Sequence, residues 1–207
     1  MKKTYLSNSS KSERMFKSDA LEKLSKIHFA VPLVIYIPVI GFLVYSSFSQ
    51  HIGIGGFLFN FFTGFLTWTL TEYLLHRYVF HFEPASKWGR RLHFIFHGVH
   101  HDYPNDAKRL VMPPSASIPL AILFYFLFSL LFTTQSKLHA FYSGFILGYL
   151  LYDMIHYAIH HLNFKSGLLK AIKKHHMLHH YSDSTKGYGV SSALWDFIFQ
   201  SGFGSKK

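Results

Sequence analysis

The sequence predicts an all-α integral membrane protein: four transmembrane helices, paired as two hairpins, beneath a cytoplasmic, histidine-rich helical cap. Three observations carry that expectation. Long uncharged apolar stretches recur four times; lysines and arginines fall almost wholly on one side of them; and most of the 16 histidines gather where the second and fourth stretches end, or beyond. Composition agrees. Charged residues make up 15% of the 207, against about a quarter in a soluble domain, and aromatic residues make up 19%. The length suits one domain. Cysteine is absent, which excludes disulfides, iron–sulfur clusters, thiolate-ligated haem and a cysteine nucleophile.

Residues 1–28 read as a cytoplasmic tail. Its first dozen residues have no apolar core, so no cleavable signal peptide is expected. Phe16, Ala20, Leu24 and Ile27 recur at three- or four-residue spacing, which suggests a short interfacial helix, with a solvated tail as the alternative. Residues 29–207 form the membrane domain, with spans expected near 29–48, 52–75, 116–134 and 138–158. About 20 apolar residues cross a hydrocarbon core of about 30 Å. Only Ser49, Gln50 and His51 separate the first two spans, so they form a tight hairpin, and Pro32 and Pro38 kink the first without forbidding it. The fourth span is short, and is expected to continue helically through Asp153 and His156.

The net charge of +11 invites a nucleic-acid reading, which the placement of that charge excludes. Seven Lys and Arg precede the first span, six lie between Arg77 and Arg109 and seven follow the fourth span, whereas the hairpin tips hold only Lys137. Twenty against one is a positive-inside signal that places both termini and the central loop in the cytoplasm.

Thirteen histidines form four clusters on that side. His76-x4-His81 leaves the second span; His93 precedes His97-x2-His100-His101; His156-x3-His160-His161 ends the fourth span; His175 precedes His176-x2-His179-His180. Helical residues three and four apart share a face, so H-x3-H and H-x2-H-H point two or three imidazoles at one place. An ion needs three to five such nitrogens at about 2.0–2.1 Å, so ten histidines suit two metal ions. The expected ligands are His76, His81, His97, His100, His101, His156, His160, His176, His179 and His180. His93, His161 and His175 are spare, each a further ligand, an outer partner or a mere neighbour. Lone His28, His51 and His139 read as hydrogen-bonded core or interface residues. No Glu-x-x-His occurs, which excludes the glutamate-bridged soluble di-iron bundle. Glu72 and Asp153 precede His76 and His156 by four and three residues, placed to accept a proton from the ligand's other ring nitrogen; capping at the interface is the alternative, above all for Glu72.

These residues resemble the fatty acid hydroxylase superfamily, and within it the fatty acid 2-hydroxylases. The likeness runs from about Thr67 to Ser201. Besides the ten histidines it takes in Glu72-Tyr-Leu-Leu-His76-Arg77, Pro104-Asn-Asp106-Ala-Lys108-Arg109-Leu-Val-Met-Pro113-Pro114, Tyr152-Asp153 and Gly187-Tyr-Gly189 through Trp195-Asp196. Sterol and carotenoid oxygenases share histidine boxes but lack the Arg-Leu-Val-x-Pro-Pro and Gly-x-Gly…Trp-Asp stretches. The resemblance implies hydroxylation of an acyl lipid at carbon 2 with O2 and two electrons at a di-iron centre. Zinc suits the same imidazoles. It assigns no separate general acid or base. Eukaryotic relatives often carry an amino-terminal cytochrome b5 domain marked His-Pro-Gly-Gly; the 28 residues before the first span hold none. The expected donor is therefore a separate cytochrome b5, ferredoxin or NAD(P)H-dependent reductase. A bacterial inner membrane is the expected location, or the endoplasmic reticulum for a eukaryotic source.

The acyl tail is expected between Phe-rich span faces (Phe57, Phe59, Phe61, Phe62, Phe65), which also suit plain lipid contact. Arg77, Lys108 and Arg109 are candidates for its headgroup, against Asp106–Arg109 pairing or contact with lipid phosphates. The rival readings are another oxygenase of the superfamily (desaturase, sterol or carotenoid hydroxylase) and a non-catalytic zinc-binding or zinc-transporting membrane protein. A transporter needs ligands at the bilayer midplane, and these clusters lie past the span ends.

Overall fold

A computed structural model describes residues 5–204, and among these there are helices and loops but no strand. Helix α1 (Asp19–Leu24) is a single short element in the amino-terminal segment. Helices α2 (Val31–Ser49) and α3 (Ile54–Leu74) form the first hairpin, turning at His51 with φ 60°. Helices α4 (Lys87–His93) and α5 (Val99–Asp102) lie in the loop before the second hairpin. That hairpin is α6 (Pro114–Ser129) and α7 (Gln135–His161); α8 (Gly167–Tyr181) and α9 (Leu194–Ile198) follow. Prolines open α2 and α6, where a missing N–H costs no helical hydrogen bond.

Helix α7 is the axis. It is buried from Leu138 through Ile146 and again on one face to Ile159, with α2 and α3 against it. Trp68, Phe145, Tyr149 and Tyr36 stack edge-on at the centre, with centroids 5.1–5.3 Å apart. Helices α3 and α7 touch backbone to backbone: a Cβ on Gly64 would lie 1.8 Å from the Phe141 carbonyl oxygen, and one on Gly144 1.9 Å from that of Phe61. Gly144-x3-Gly148 is thus the small-residue seam by which helices approach closely where lipid offers no hydrophobic drive.

The outer faces are apolar: Val34, Phe42, Phe59, Phe62, Phe126 and Leu130 are all more than half exposed. Among the described residues α2 alone is long and apolar enough to cross a membrane by length and composition; α6 is apolar but has 16 residues. Helix α7 runs unbroken through Asp153 and His156.

Two irregularities carry the site. Helix α3 does not stop at Leu74 but widens into a π-helical turn over Leu75–Phe80, where the His81 N–H bonds to the His76 carbonyl five residues back at 3.1 Å. A second π turn spans Phe94–Gly98 between α4 and α5. Such wider turns are common at functional sites.

Candidate metal centre

The ten expected histidines converge in two sets of five. His76, His81, His97, His101 and His179 form one, and His100, His156, His160, His176 and His180 the other. Within each set the nearest ring nitrogens all lie within 4.8 Å of one another. His93, His161 and His175 belong to neither set. The lone three lie elsewhere: His28 and His51 are exposed, and His139 is buried between the Ser46 and Tyr125 hydroxyls at 2.9 and 3.0 Å.

The sets do not follow the boxes. Each H-x2-H-H sends its i and i+4 members to one set and the third to the other, so His97 and His101 face the first set and His100 the second. His176 and His180 face the second and His179 the first. The expectation of a whole box at one place is therefore corrected: positions i and i+4 lie about 40° apart on a helix, while i+3 lies about 60° from i and about 100° from i+4. Five residues of ordinary α-helix would turn His81 well away from His76. The π turn brings them together, with ring nitrogens 3.2 Å apart.

Imidazole nitrogens crowd each centre. In the first set His76, His81 and His97 meet through Nε2 at 3.0–3.2 Å, and His81 meets His179 at 2.9 Å. In the second, His156–His100 and His160–His176 lie at 3.0 Å and His180–His176 at 3.1 Å. Hydrogen bonds cannot satisfy this. The Nδ1 atoms of His76 and His179 face the carbonyls of Tyr188 and Lys186. A carbonyl only accepts, so each Nδ1 holds the ring proton and each Nε2 presents a lone pair inward. Around one ion, nitrogens at about 2.1 Å put adjacent ligands about 3 Å apart, which is the spacing found. The donor set fits a metal pair. Burial pushes the histidines down, His81 to about 3 and His179 to about 4, with His97, His100, His101 and His176 well below the ordinary value. All are therefore neutral and able to ligate.

The carboxylates act differently from expectation. Glu72 does not meet His76; it accepts from the Val190 and Ser191 amides at 2.8 Å and from the Ser191 hydroxyl at 2.5 Å. The His76 ring is turned toward the Tyr188 carbonyl instead, which takes its Nδ1 proton. Asp153 accepts from the Met112 amide at 3.3 Å, and His156 Nδ1 has no partner among the described residues. The Met112 amide, 41 residues earlier in the chain, thus gives the hydrogen bond expected from the ring one turn above.

Asp196 and the backbone around it had no assigned role. Asp196, 1% exposed, accepts from the Tyr188 and Gly189 amides at 3.0 and 2.7 Å, from Ser201 at 2.7 Å and from His175 at 2.9 Å. Burial alone would raise it, but these four donors outweigh that and hold its carboxyl below the ordinary range. The peptide unit between Tyr188 and Gly189 thus gives its N–H to Asp196 and takes the His76 proton on its carbonyl. Gly187 adopts φ +71°, and a Cβ on Gly189 would lie 2.0 Å from the Ser192 carbonyl, so Gly-Tyr-Gly is what the turn requires. The spacing Gly-x-Gly…Trp-Asp is the signal the sequence offers; carbonyl ligand partners have no side-chain signature.

A half-open apolar cavity of about 450 Å³ reaches the histidines. His97, His100 and His156 line its inner end together with Asp153 and Arg109. None of Phe57, Phe59, Phe61, Phe62 or Phe65 lines this cavity; Phe59 and Phe62, at 73% and 62% exposure, line a separate open apolar groove with Leu58, Thr63 and Leu66. Arg77 does not line the cavity either. Its guanidinium donates to the Tyr73 hydroxyl at 2.6 Å and lies against Tyr73, Tyr78 and Tyr188. Lys108 is exposed and outside the lining. Arg109 is buried, binding Glu22 at 2.6 Å and Asp106 at 3.4 Å, while its Nη1 has no partner among the described residues.

Comparison with known proteins supports the same reading. A fatty acid hydroxylase family model matches residues 61–201. The chain is 38% identical to a dihydroceramide fatty acyl 2-hydroxylase of Arabidopsis thaliana, over 90% of this chain and 78% of that protein. It is 36% identical to a fatty acid 2-hydroxylase of Rattus norvegicus, covering 90% of this chain and 55% of that one. The solved hydroxylase domain of full-length scs7p superimposes with a TM-score of 0.83 at 35% identity, over 90% of this chain and 71% of that one.

Proposed function

This chain belongs to the fatty acid hydroxylase family, and from that premise we propose that it is a membrane fatty acid 2-hydroxylase, an O2-dependent monooxygenase. The observation that carries this reading is the pair of five-nitrogen histidine sets opening on an apolar cavity. His76, His81, His97, His101 and His179 hold one ion and His100, His156, His160, His176 and His180 the other, iron for activity and zinc where iron is replaced. The bound pair supplies the activation of O2 that places one oxygen atom on carbon 2 and releases the other as water, using two electrons and two protons.

The chain's own residues do the rest. The carbonyls of Tyr188 and Lys186 fix two rings with Nε2 inward. The apolar cavity wall takes the acyl chain, and Arg109, paired with Glu22 and Asp106, ties that wall together. Electrons come from a separate carrier such as a cytochrome b5, a ferredoxin or an NAD(P)H-dependent reductase.

Helices α2, α3, α6 and α7 cross the membrane as two hairpins, and the charge asymmetry puts both termini and the histidine cap in the cytoplasm. The membrane is a bacterial inner membrane, or the endoplasmic reticulum in a eukaryote. The test is expression in a host without 2-hydroxy lipids, followed by lipid mass spectrometry and metal analysis of the purified protein. Two metal equivalents and new 2-hydroxy acyl chains are expected. Replacing His179 and His180 together by Ala should remove both; 2-hydroxylation that persists without metal overturns the assignment.

A further inference from the structure

One wall of the cavity comes from a segment that belongs to no histidine cluster and precedes the family-matched region. Met15, Phe16, Leu21, Leu24 and Ser25 line the cavity, as do His97 and His156. Met15 is 8% exposed and sits at depth, whereas Leu21 and Leu24, at 50% and 56%, form the rim. Polar contacts hold the segment down. Glu22 accepts the Met15 and Phe16 amides at 2.9 and 3.0 Å and pairs with Arg109 and Lys26 at 2.6 Å. Ser12 donates to Asp106 at 2.6 Å, the Ile27 amide to the Lys108 carbonyl at 3.0 Å, and Arg91 to the Met15 carbonyl. A solvated tail would have none of these tertiary bonds.

We propose that residues 15–25 form a selecting wall of the acyl site and decide which acyl chains reach the histidines. The proposal rests on the reading of the cavity as the acyl site. The wall brings no reacting group, only apolar contact, and contact of this kind discriminates by methylene count: in an apolar pocket one methylene changes selection by about 10–200-fold. Met15 limits how far a chain extends at depth, half-buried Phe16 narrows the wall beside it, and Leu21 and Leu24 limit what passes the rim.

The test uses the full chain in membranes supplied with acyl lipids of graded length, with 2-hydroxy products resolved by mass spectrometry. Phe16→Ala should raise the ratio of longest to shortest 2-hydroxy chain by about tenfold, and Leu21→Trp should lower it by about tenfold. Metal content should be unchanged. Leu130→Ala, on the outer surface at 82% exposure, should leave the ratio alone. Both ratios unchanged, with metal and total product retained, overturn the proposal. Absence of any 2-hydroxy product from the unsubstituted chain instead overturns the reading of the cavity. Where Leu21→Trp fails to accumulate with metal, Leu21→Phe and Met15→Leu decide by the same ratio.

Discussion

Replacing Asp196 by Ala should weaken one metal position and spare the other. The carboxylate is 1% exposed and accepts four hydrogen bonds, two of them from the amides of Tyr188 and Gly189. The second of those amides shares its peptide plane with the carbonyl that takes the His76 Nδ1 proton. His179 depends on the same loop through the Lys186 carbonyl, one residue before Gly187, whose amide bonds to the Ser201 carbonyl at 2.9 Å. Both rings belong to the first set; no ring of the second set hangs from this loop. Loss of a group that orients a ligand costs about 10–100-fold in metal affinity, or about 1.4–2.8 kcal/mol. The assay is metal retained per chain against graded chelator. The substituted protein should lose its first ion at about 10–100-fold lower chelator concentration, with the second ion unchanged. Asp196→Asn should fall between, since its amide oxygen still accepts while its NH2 faces a donor. Asp19→Asn, exposed on α1 and paired with Arg14, should match the parent. Equal weakening of both ions, or of neither, refutes the account.

Three other outcomes follow from the same geometry. Gly144→Leu should force α3 and α7 apart, because even a Cβ there would lie 1.9 Å from the Phe61 carbonyl; a destabilisation of at least about 1–3 kcal/mol should appear as a lowered unfolding midpoint in detergent. His28→Ala and His51→Ala, both exposed and outside the sets, should leave metal content and 2-hydroxylation unchanged. For Glu22, burial raises the carboxyl, but Lys26, the Phe16 and Met15 amides and Arg109 outweigh it and hold the carboxyl at about 2, below its ordinary 4.5. A folded pKa below the unfolded one stabilises fully above the unfolded value and is lost as pH falls through the folded one. Pepsin cleavage within residues 5–27 should therefore be slower in the parent than in Glu22→Gln at pH 4.5, and that difference should vanish as pH falls to 2.

What could be read in the residues was what spacing and polarity encode. The four long helices and the ten histidines stand out because apolar runs and H-x3-H are local patterns with one structural meaning each. The π turn was visible only as the odd interval His76-x4-His81, which no α-helix can bring to a point. The split of each H-x2-H-H between two sets was hidden because i+3 and i+4 are both neighbours of i until a second centre exists to separate them. Glu72 and Asp153 were misdirected by the same local logic. Each lies one turn from a ligand, yet each serves a distant strand of backbone, which sequence distance cannot show. The amino-terminal segment has too few apolar residues to announce itself as a cavity wall, and its docking depends on Arg109, 87 positions away from Glu22.

The scarcity of acid near the histidines then has a physical explanation. Ten neutral imidazoles bring no charge to offset the proposed pair of cations, and in a low-dielectric interior that positive charge would be costly. Glu72, Asp153 and Asp196 are all at most 4% exposed, and among the described residues none hydrogen-bonds to a ring of either set. They lie one layer out, and for Asp196 the layer between is a peptide unit with its N–H on the carboxylate and its carbonyl on His76 Nδ1. Hydrogen bonds aligned in one direction polarise one another, so negative charge is relayed through the peptide to the ligand nitrogen, which becomes a stronger donor. A carboxylate bound directly would compensate more strongly but would occupy a coordination position. Keeping it behind a peptide retains the charge and leaves room for oxygen, which is what a hydroxylating centre built on histidine requires.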